Sequence, residues 1–177
     1  VTLTNSPNPH GFRAEYFRNA TLSGQPVLVR TDTQLDLEDK GEPALGIPRE
    51  NFSVRWTANL SVTNTGPYVL VFTGNDGYRV FVDDKKIIDQ WDRRGQSTGT
   101  NELKFEAGKK YALRVEFCQD TGGYMARLAW RRGGVSNFAD AIAAAKASDV
   151  AIVCVWTMGL EGEGNDRPSM DLPNNQA

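Results

Sequence analysis

The stretch Asp76-Gly-Tyr-Arg-Val-Phe-Val-Asp-Asp-Lys-Lys-Ile-Ile-Asp-Gln-Trp, ending at Trp91, decides the fold. Asn75-Asp-Gly at its start is a turn signal, and Arg79-Val-Phe-Val is a short β-branched and aromatic strand. Asp83-Asp-Lys-Lys then makes a tight hairpin leading into Ile87-Ile88. The same grammar runs outward from this hairpin in both directions. Upstream, Tyr68-Val-Leu-Val-Phe-Thr follows the turn pair Gly66-Pro67. Phe52-Ser-Val-Arg-Trp-Thr-Ala alternates, with Phe52, Val54 and Trp56 on one face, and Phe12-Arg-Ala-Glu-Tyr-Phe alternates as well. Downstream lie Glu102-Leu-Lys-Phe-Glu, the turn Ala107-Gly-Lys-Lys, Tyr111-Ala-Leu-Arg-Val-Glu-Phe, and Met125-Ala-Arg-Leu-Ala-Trp after Gly122-Gly123. Some eight strands with frequent turns and no helix predict a mainly β fold, an antiparallel β-sandwich or barrel. Trp56 and Trp130 belong to its core on this reading. Residues Thr31 to Glu50 carry charges, glycines and prolines with little periodicity, and read as an excursion over the surface.

The pattern changes after Arg131-Arg-Gly-Gly. Asn137-Phe-Ala-Asp-Ala-Ile-Ala-Ala-Ala-Lys-Ala is alanine-rich and favours a helix, with Ser136 as its cap. Val150-Ala-Ile-Val-Cys-Val-Trp is a continuous apolar run, as in a parallel-sheet strand buried on both faces. One helix and one strand cannot bury themselves, so this α-β segment belongs to an incomplete α/β-sandwich domain or packs on the β module. The expected organisation is an arm at residues 1–10, a β-sandwich over 11–132, and a fragment of a second domain over 133–177. An acidic loop, Leu160-Glu-Gly-Glu-Gly-Asn-Asp-Arg-Pro-Ser-Met-Asp-Leu-Pro, hangs from the end of the strand. Read from residues alone, Glu161 and Glu163 are either catalytic carboxylates or part of an exposed acidic loop, and Asp166 and Arg167 pair to fix that loop.

Composition narrows the function classes. The 177 residues carry a net charge of −2, with 40% hydrophobic and 24% charged residues, which is ordinary globular composition. No basic block suits nucleic acid, and Arg93-Arg94 and Arg131-Arg132 read as solvated surface pairs. No apolar run approaches the ~20 residues that cross a bilayer, and the N-terminus lacks the features of a signal peptide. An extracellular or periplasmic setting is slightly favoured. Cys118 and Cys154 sit in apolar strand-like stretches and read as buried hydrophobes rather than a disulfide. His10 is the single histidine, so neither a His-containing metal cluster nor a His-based triad is expected. No metal and no cofactor is predicted. Trp91, Tyr78 and Tyr124 stand near turns and are the candidate aromatic platform for a sugar.

The stretch from Asp76 to Trp91 resembles the central signature of the protective-antigen-type β-sandwich, the PA-14 domain. Gly11-Phe-Arg-Ala-Glu-Tyr-Phe and Phe52-Ser-Val-Arg-Trp-Thr-Ala resemble its opening strands, and Tyr111-Ala-Leu-Arg-Val-Glu-Phe a later one. The tail is similar to another family. Ala147-Ser-Asp-Val-Ala-Ile-Val-Cys-Val, Glu161-Gly-Glu-Gly-Asn-Asp-Arg and Met170-Asp-Leu-Pro-Asn-Asn-Gln resemble the second domain of family 3 glycoside hydrolases, many of them β-glucosidases. In some members a PA-14 module is inserted within that domain, and the order found here is what such an insertion leaves when the upstream part is absent.

These resemblances imply a role for the loop. Retaining glycosidases use two carboxyls about 5–5.5 Å apart, a nucleophile and an acid/base. Glu163 occupies the position the family assigns to the acid/base, with Glu161 as the alternative. The nucleophile belongs to a preceding barrel domain for which this chain has no room, so the chain is not expected to hydrolyse glycosides alone. The implied partners are an oligosaccharide or β-glucoside and the remaining domains of the parent enzyme. The unpaired strand from Val150 also suggests homo-oligomer formation. In adhesin relatives of the module two adjacent aspartates bind calcium and sugar. Here Asn75-Asp76 stands near the start of the signature and Asp83-Asp84 falls in the hairpin, so calcium-dependent sugar binding is not expected.

Overall fold

The structure is a computed structural model that describes residues 1–4, 10–92, 94–133 and 139–150. Glu161, Glu163, Asp166, Arg167, Cys154 and the strand expected beyond Val150 lie outside the described residues. The chain divides into two compact units, Val1–Ser136 and Asn137–Ala177.

The first unit is the β-sandwich. Its strands are β1 (Thr2–Thr4), β2 (Phe12–Phe17), β3 (Leu28–Asp32), β4 (Asp36–Glu38), β5 (Phe52–Ser61) and β6 (Gly66–Asn75). They are followed by β7 (Gly77–Val82), β8 (Lys85–Gln90), β9 (Ser97–Phe105), β10 (Lys110–Gln119) and β11 (Met125–Arg132). One sheet runs β3-β2-β5-β10-β7-β8, with β1 also paired to β5; the other runs β4-β11-β6-β9. All of these strand pairs are antiparallel.

Period-two alternation sets which side chains enter the space between the sheets. Phe52, Val54 and Trp56 of β5 face inward, as do Val115 and Phe117 of β10 and Tyr78 and Val80 of β7. Leu70 and Phe72 meet them from β6. Aromatic contacts lie within and across the layers: Phe52 and Phe117 are 5.9 Å apart between ring centroids, and Phe72 and Tyr78 are 4.6 Å apart. Each such fully buried side chain contributes about 1.5–3 kcal/mol. The predicted hairpin joins β7 to β8 through Asp83 and Asp84, at φ values of 48° and 60°. Positive φ at both central residues is the geometry that matches strand twist in a two-residue turn, and aspartate tolerates it.

Two expectations are corrected. Residues Thr31 to Glu50 are not a mere surface excursion. They complete β3, supply β4, and send Leu35, Ala44 and Ile47 into the core. Short strands and isolated apolar anchors carry no periodicity of their own, which hid them. Trp130 is half-buried rather than a core residue, because it lies near the C-terminal end of β11.

In the second unit, α1 (Ala139–Lys146) forms where the alanine-rich run predicted a helix. Lys146 in its last turn complements the helix dipole.

Candidate functional site

At one end of the sandwich three connections converge: β6 to β7 through Asp76, β8 to β9 through Gly95, and β10 to β11 through Asp120. Asp76 ties them together. Its side chain is buried, with Oδ1 accepting the Gly95 N–H at 2.9 Å and Oδ2 accepting the Asp120 N–H at 3.0 Å. Asn75 donates from Nδ2 to the Gly123 carbonyl at 2.8 Å, and the peptide between Asn75 and Asp76 is cis. Gln119, fully buried, donates from Nε2 to the carbonyls of Thr121 and Gly122 at 2.9 and 3.2 Å. Glu50 accepts the Gly122 N–H at 2.9 Å. Gly77 admits no side chain: a Cβ there would overlap the Trp91 carbonyl and the Cys118 sulfur.

The three aromatic candidates fare differently. Tyr78 is fully buried, its ring packed on Phe72 and its hydroxyl 3.1 Å from Ser97 Oγ. Tyr124 is 3% exposed, edge-on to Phe52 at 5.3 Å, and donates its hydroxyl to the Gly41 carbonyl at 2.9 Å. Neither ring is open to stack on a sugar. Trp91 is half-buried, and the Arg79 guanidinium lies over its ring at 4.0 Å. Only Trp91 of the three therefore stands at the surface of this end.

Arg79 leads from Trp91 onto the outer face of the large sheet. Its Nη2 is 2.7 Å from Glu116, which Arg114 reaches at 2.6 Å and Arg55 at 3.3 Å. Arg114 also covers Phe81 at 3.7 Å. The Glu116 side chain is 3% exposed beneath these three arginines. Burial by itself would raise the Glu116 carboxyl pKa. The hydrogen bond from Arg114, the charges of Arg79 and Arg114 and the Arg55 contact outweigh it and hold the value below the ordinary carboxylate range. A depressed folded-state pKa gives stability that is full above the unfolded value of about 4.3 and is lost as pH falls through the folded value. Glu116→Gln is therefore expected to lower the urea midpoint at neutral pH and to flatten its fall on the acid side. An unchanged acid limb in the variant would remove Glu116 as its source.

The side chains at this end offer a cation one carboxylate from Asp76 and one amide from Asn75. Position 75 offers an amide, both Asp76 oxygens already accept backbone N–H groups, and the Asp120 carboxylate lies 3.5 Å from Arg94. Among the described residues no three His, Cys, Asp or Glu side chains are grouped to hold a metal ion.

Residues 8–140 match the PA14 domain. The chain belongs to the PA14 domain family. This PA14 module is 31% identical over 121 residues to the anti-sigma-I factor RsgI3 of Acetivibrio thermocellus, covering 68% of this chain and 19% of that protein. A longer similarity, 28% identity over 185 residues, joins it to a β-glucosidase of Rhizobium radiobacter, covering 92% of this chain and 22% of that protein. Among solved structures it superposes on the PA14 sugar-binding domain from an RTX adhesin with a TM-score of 0.60 and 16% identity. That superposition covers 72% of this chain and 92% of the adhesin domain, a likeness of fold. The chain spans about a fifth of the length of the two curated relatives.

Proposed function

We propose that this chain is the inserted PA14 module, with the following acid/base segment, of a retaining β-glucosidase-like enzyme of glycoside hydrolase family 3. The observation that carries this reading is the reach of the β-glucosidase similarity. The unit Val1–Ser136 makes up only about three quarters of the chain, whereas the alignment takes in 92% of it. It therefore continues past the sandwich into the α-β segment that leads to Glu163. The similarity to the anti-sigma factor, at 68% of the chain, needs no residue beyond the sandwich. In this reading Glu163 donates the proton to the leaving oxygen, the nucleophile comes from another domain, and loops of the module reach over the active site to limit substrate length.

The test uses the full-length parent enzyme. Removing residues 11–132 and closing the gap with a short flexible linker is expected to raise kcat/KM for longer oligosaccharides relative to disaccharides by roughly tenfold. An unchanged length preference in a folded, active deletion variant would reject the gating role.

A second reading has its own support in the sandwich's likeness to a sugar-binding PA14 domain. In it the module binds carbohydrate without any link to catalysis. It predicts saccharide binding by this chain together with an unaltered length preference in the deletion variant.

A further inference from the structure

The inward face of β3 carries charge where the pattern calls for apolar side chains. Register pairs Leu28 with Tyr16, Arg30 with Ala14 and Asp32 with Phe12, and those three β2 partners are buried core residues. Leu28, Arg30 and Asp32 therefore share the core-facing side of an edge strand. Asp32 is largely covered, with 12% of its side chain exposed, while the Arg30 side chain is 40% exposed at the edge of the sheet, and the pair is organised.

Asp32 Oδ2 accepts the Tyr16 hydroxyl at 2.7 Å and the Trp56 indole N–H at 2.9 Å. Asp32 Oδ1 accepts Arg30 Nε at 2.6 Å, and Arg30 Nη2 donates to the Tyr16 oxygen at 2.7 Å. Burial, and then the Asp32 charge, push the Tyr16 hydroxyl pKa upward, which keeps it a donor. These bonds use three of the roughly four acceptor positions of the carboxylate and leave Arg30 Nη1, with two N–H donors, outside the ring.

This ring borders a cavity of about 470 Å³ between the edge strands β3 and β4, lined by Arg30, Thr31, Asp32, Thr33, Gln34, Asp36, Leu37 and Trp56. Ligand pockets commonly fall in this size range. Its charges cancel locally. Arg30 is paired with Asp32, and Asp36 with Arg127 at 2.8 Å. A phosphate meets no surplus cation here, a divalent metal ion meets no surplus carboxylate, and a lipid chain meets mostly polar walls. What remains is one acceptor beside a pair of donors, joined by the hydrogen bonds among Tyr16, Arg30, Asp32 and Trp56, with Thr33 and Gln34 lining the same cavity.

We infer that the cavity between β3 and β4 binds two neighbouring hydroxyls of a neutral saccharide, one donating to Asp32 and the other accepting from Arg30 Nη1. This rests on the carbohydrate reading above and places a saccharide contact away from the end of the sandwich built on Asn75 and Asp76.

The test is a titration of the ¹⁵N-labelled 177-residue chain with cellobiose and, separately, with glycerol, followed by NMR. Cellobiose is expected to shift the Trp56 indole N–H and the amides of residues 30–34 at millimolar concentration, while glycerol leaves them in place. Thr33→Trp, which fills the mouth of the cavity, is expected to abolish the shifts. Arg30→Lys, which keeps the charge opposite Asp32 but loses the Nη1 donors, is expected to weaken binding about tenfold. Thermal unfolding of both variants confirms that they fold. Shifts confined to residues 75–76, 91–95 and 119–124 would overturn this site and leave the carbohydrate reading standing. Absence of any shift would overturn the site and count against the reading of the module as a carbohydrate binder, leaving the gating reading to the deletion experiment.

Discussion

In the full-length glycosidase proposed as parent, Glu163→Ala is expected to lower kcat on an alkyl glucoside by about 10²–10⁴-fold, the range supplied by a positioned general acid. The loss should shrink for a nitrophenyl glucoside, because a good leaving group departs without protonation. Added azide should restore part of the rate and give a glycosyl azide of retained configuration, since a small anion can attack the covalent intermediate in the space left by the carboxylate. Glu163 lies between Gly162 and Gly164. Glycines on both sides let the backbone turn and leave room for sugar to approach. Near-normal hydrolysis of the alkyl glucoside would take the role from Glu163 and pass it to Glu161 or to another segment. Measuring both variants on both substrates separates the two glutamates, because only the acid/base shows leaving-group dependence together with azide rescue.

The parts of the sandwich legible in the sequence were those whose signal is local. Val54 and Trp56 alternate within one strand, Asp83-Asp84 turns a hairpin, and both readings survive in β5 and in the turn after β7. At Tyr78 two local signals conflict. Its closeness to the turn at Asn75 suggested exposure, while its phase with Val80 and Val82 places all three on the buried face. Tyr124 gave no such clue. It precedes β11, and the partner of its hydroxyl, the Gly41 carbonyl, is 83 positions away in the chain. The cavity beside Asp32 was hidden for the same reason. The interactions that organise it join Tyr16, Arg30, Asp32 and Trp56 through register, and a stretch as short as β4 has no period to read. Asp76 lies between these cases. The signature marked its place, but not that its two oxygens fasten two separate loops.

Trp56→Ala is expected to destabilise the module by about 3–5 kcal/mol, as large-to-small changes at buried aromatic residues do. A small domain has about 5–15 kcal/mol in all, so this single change takes much of its reserve. Trp56 is 1% exposed, sits edge-on to Tyr16 at 6.5 Å, and lies 6.5 Å from Phe117 between centroids. Its removal opens a cavity where the two sheets meet and also strips one donor from Asp32. Trp56→Phe separates these effects. The smaller ring keeps most of the packing but loses the indole N–H, so its cost should be dominated by the one donor lost to Asp32, which keeps Tyr16 and Arg30, about 0.5–1.5 kcal/mol. If the donor matters through Asp32, then Trp56→Phe and Asp32→Asn should be non-additive when combined, because both disturb the same ring of hydrogen bonds. Urea unfolding followed by far-ultraviolet circular dichroism measures all four proteins of the cycle. Additive costs would mean that Trp56 acts through packing alone. A coupling energy would mean that the core holds Asp32 and Arg30 in place, and that the geometry of the cavity is inherited from the interior of the sandwich.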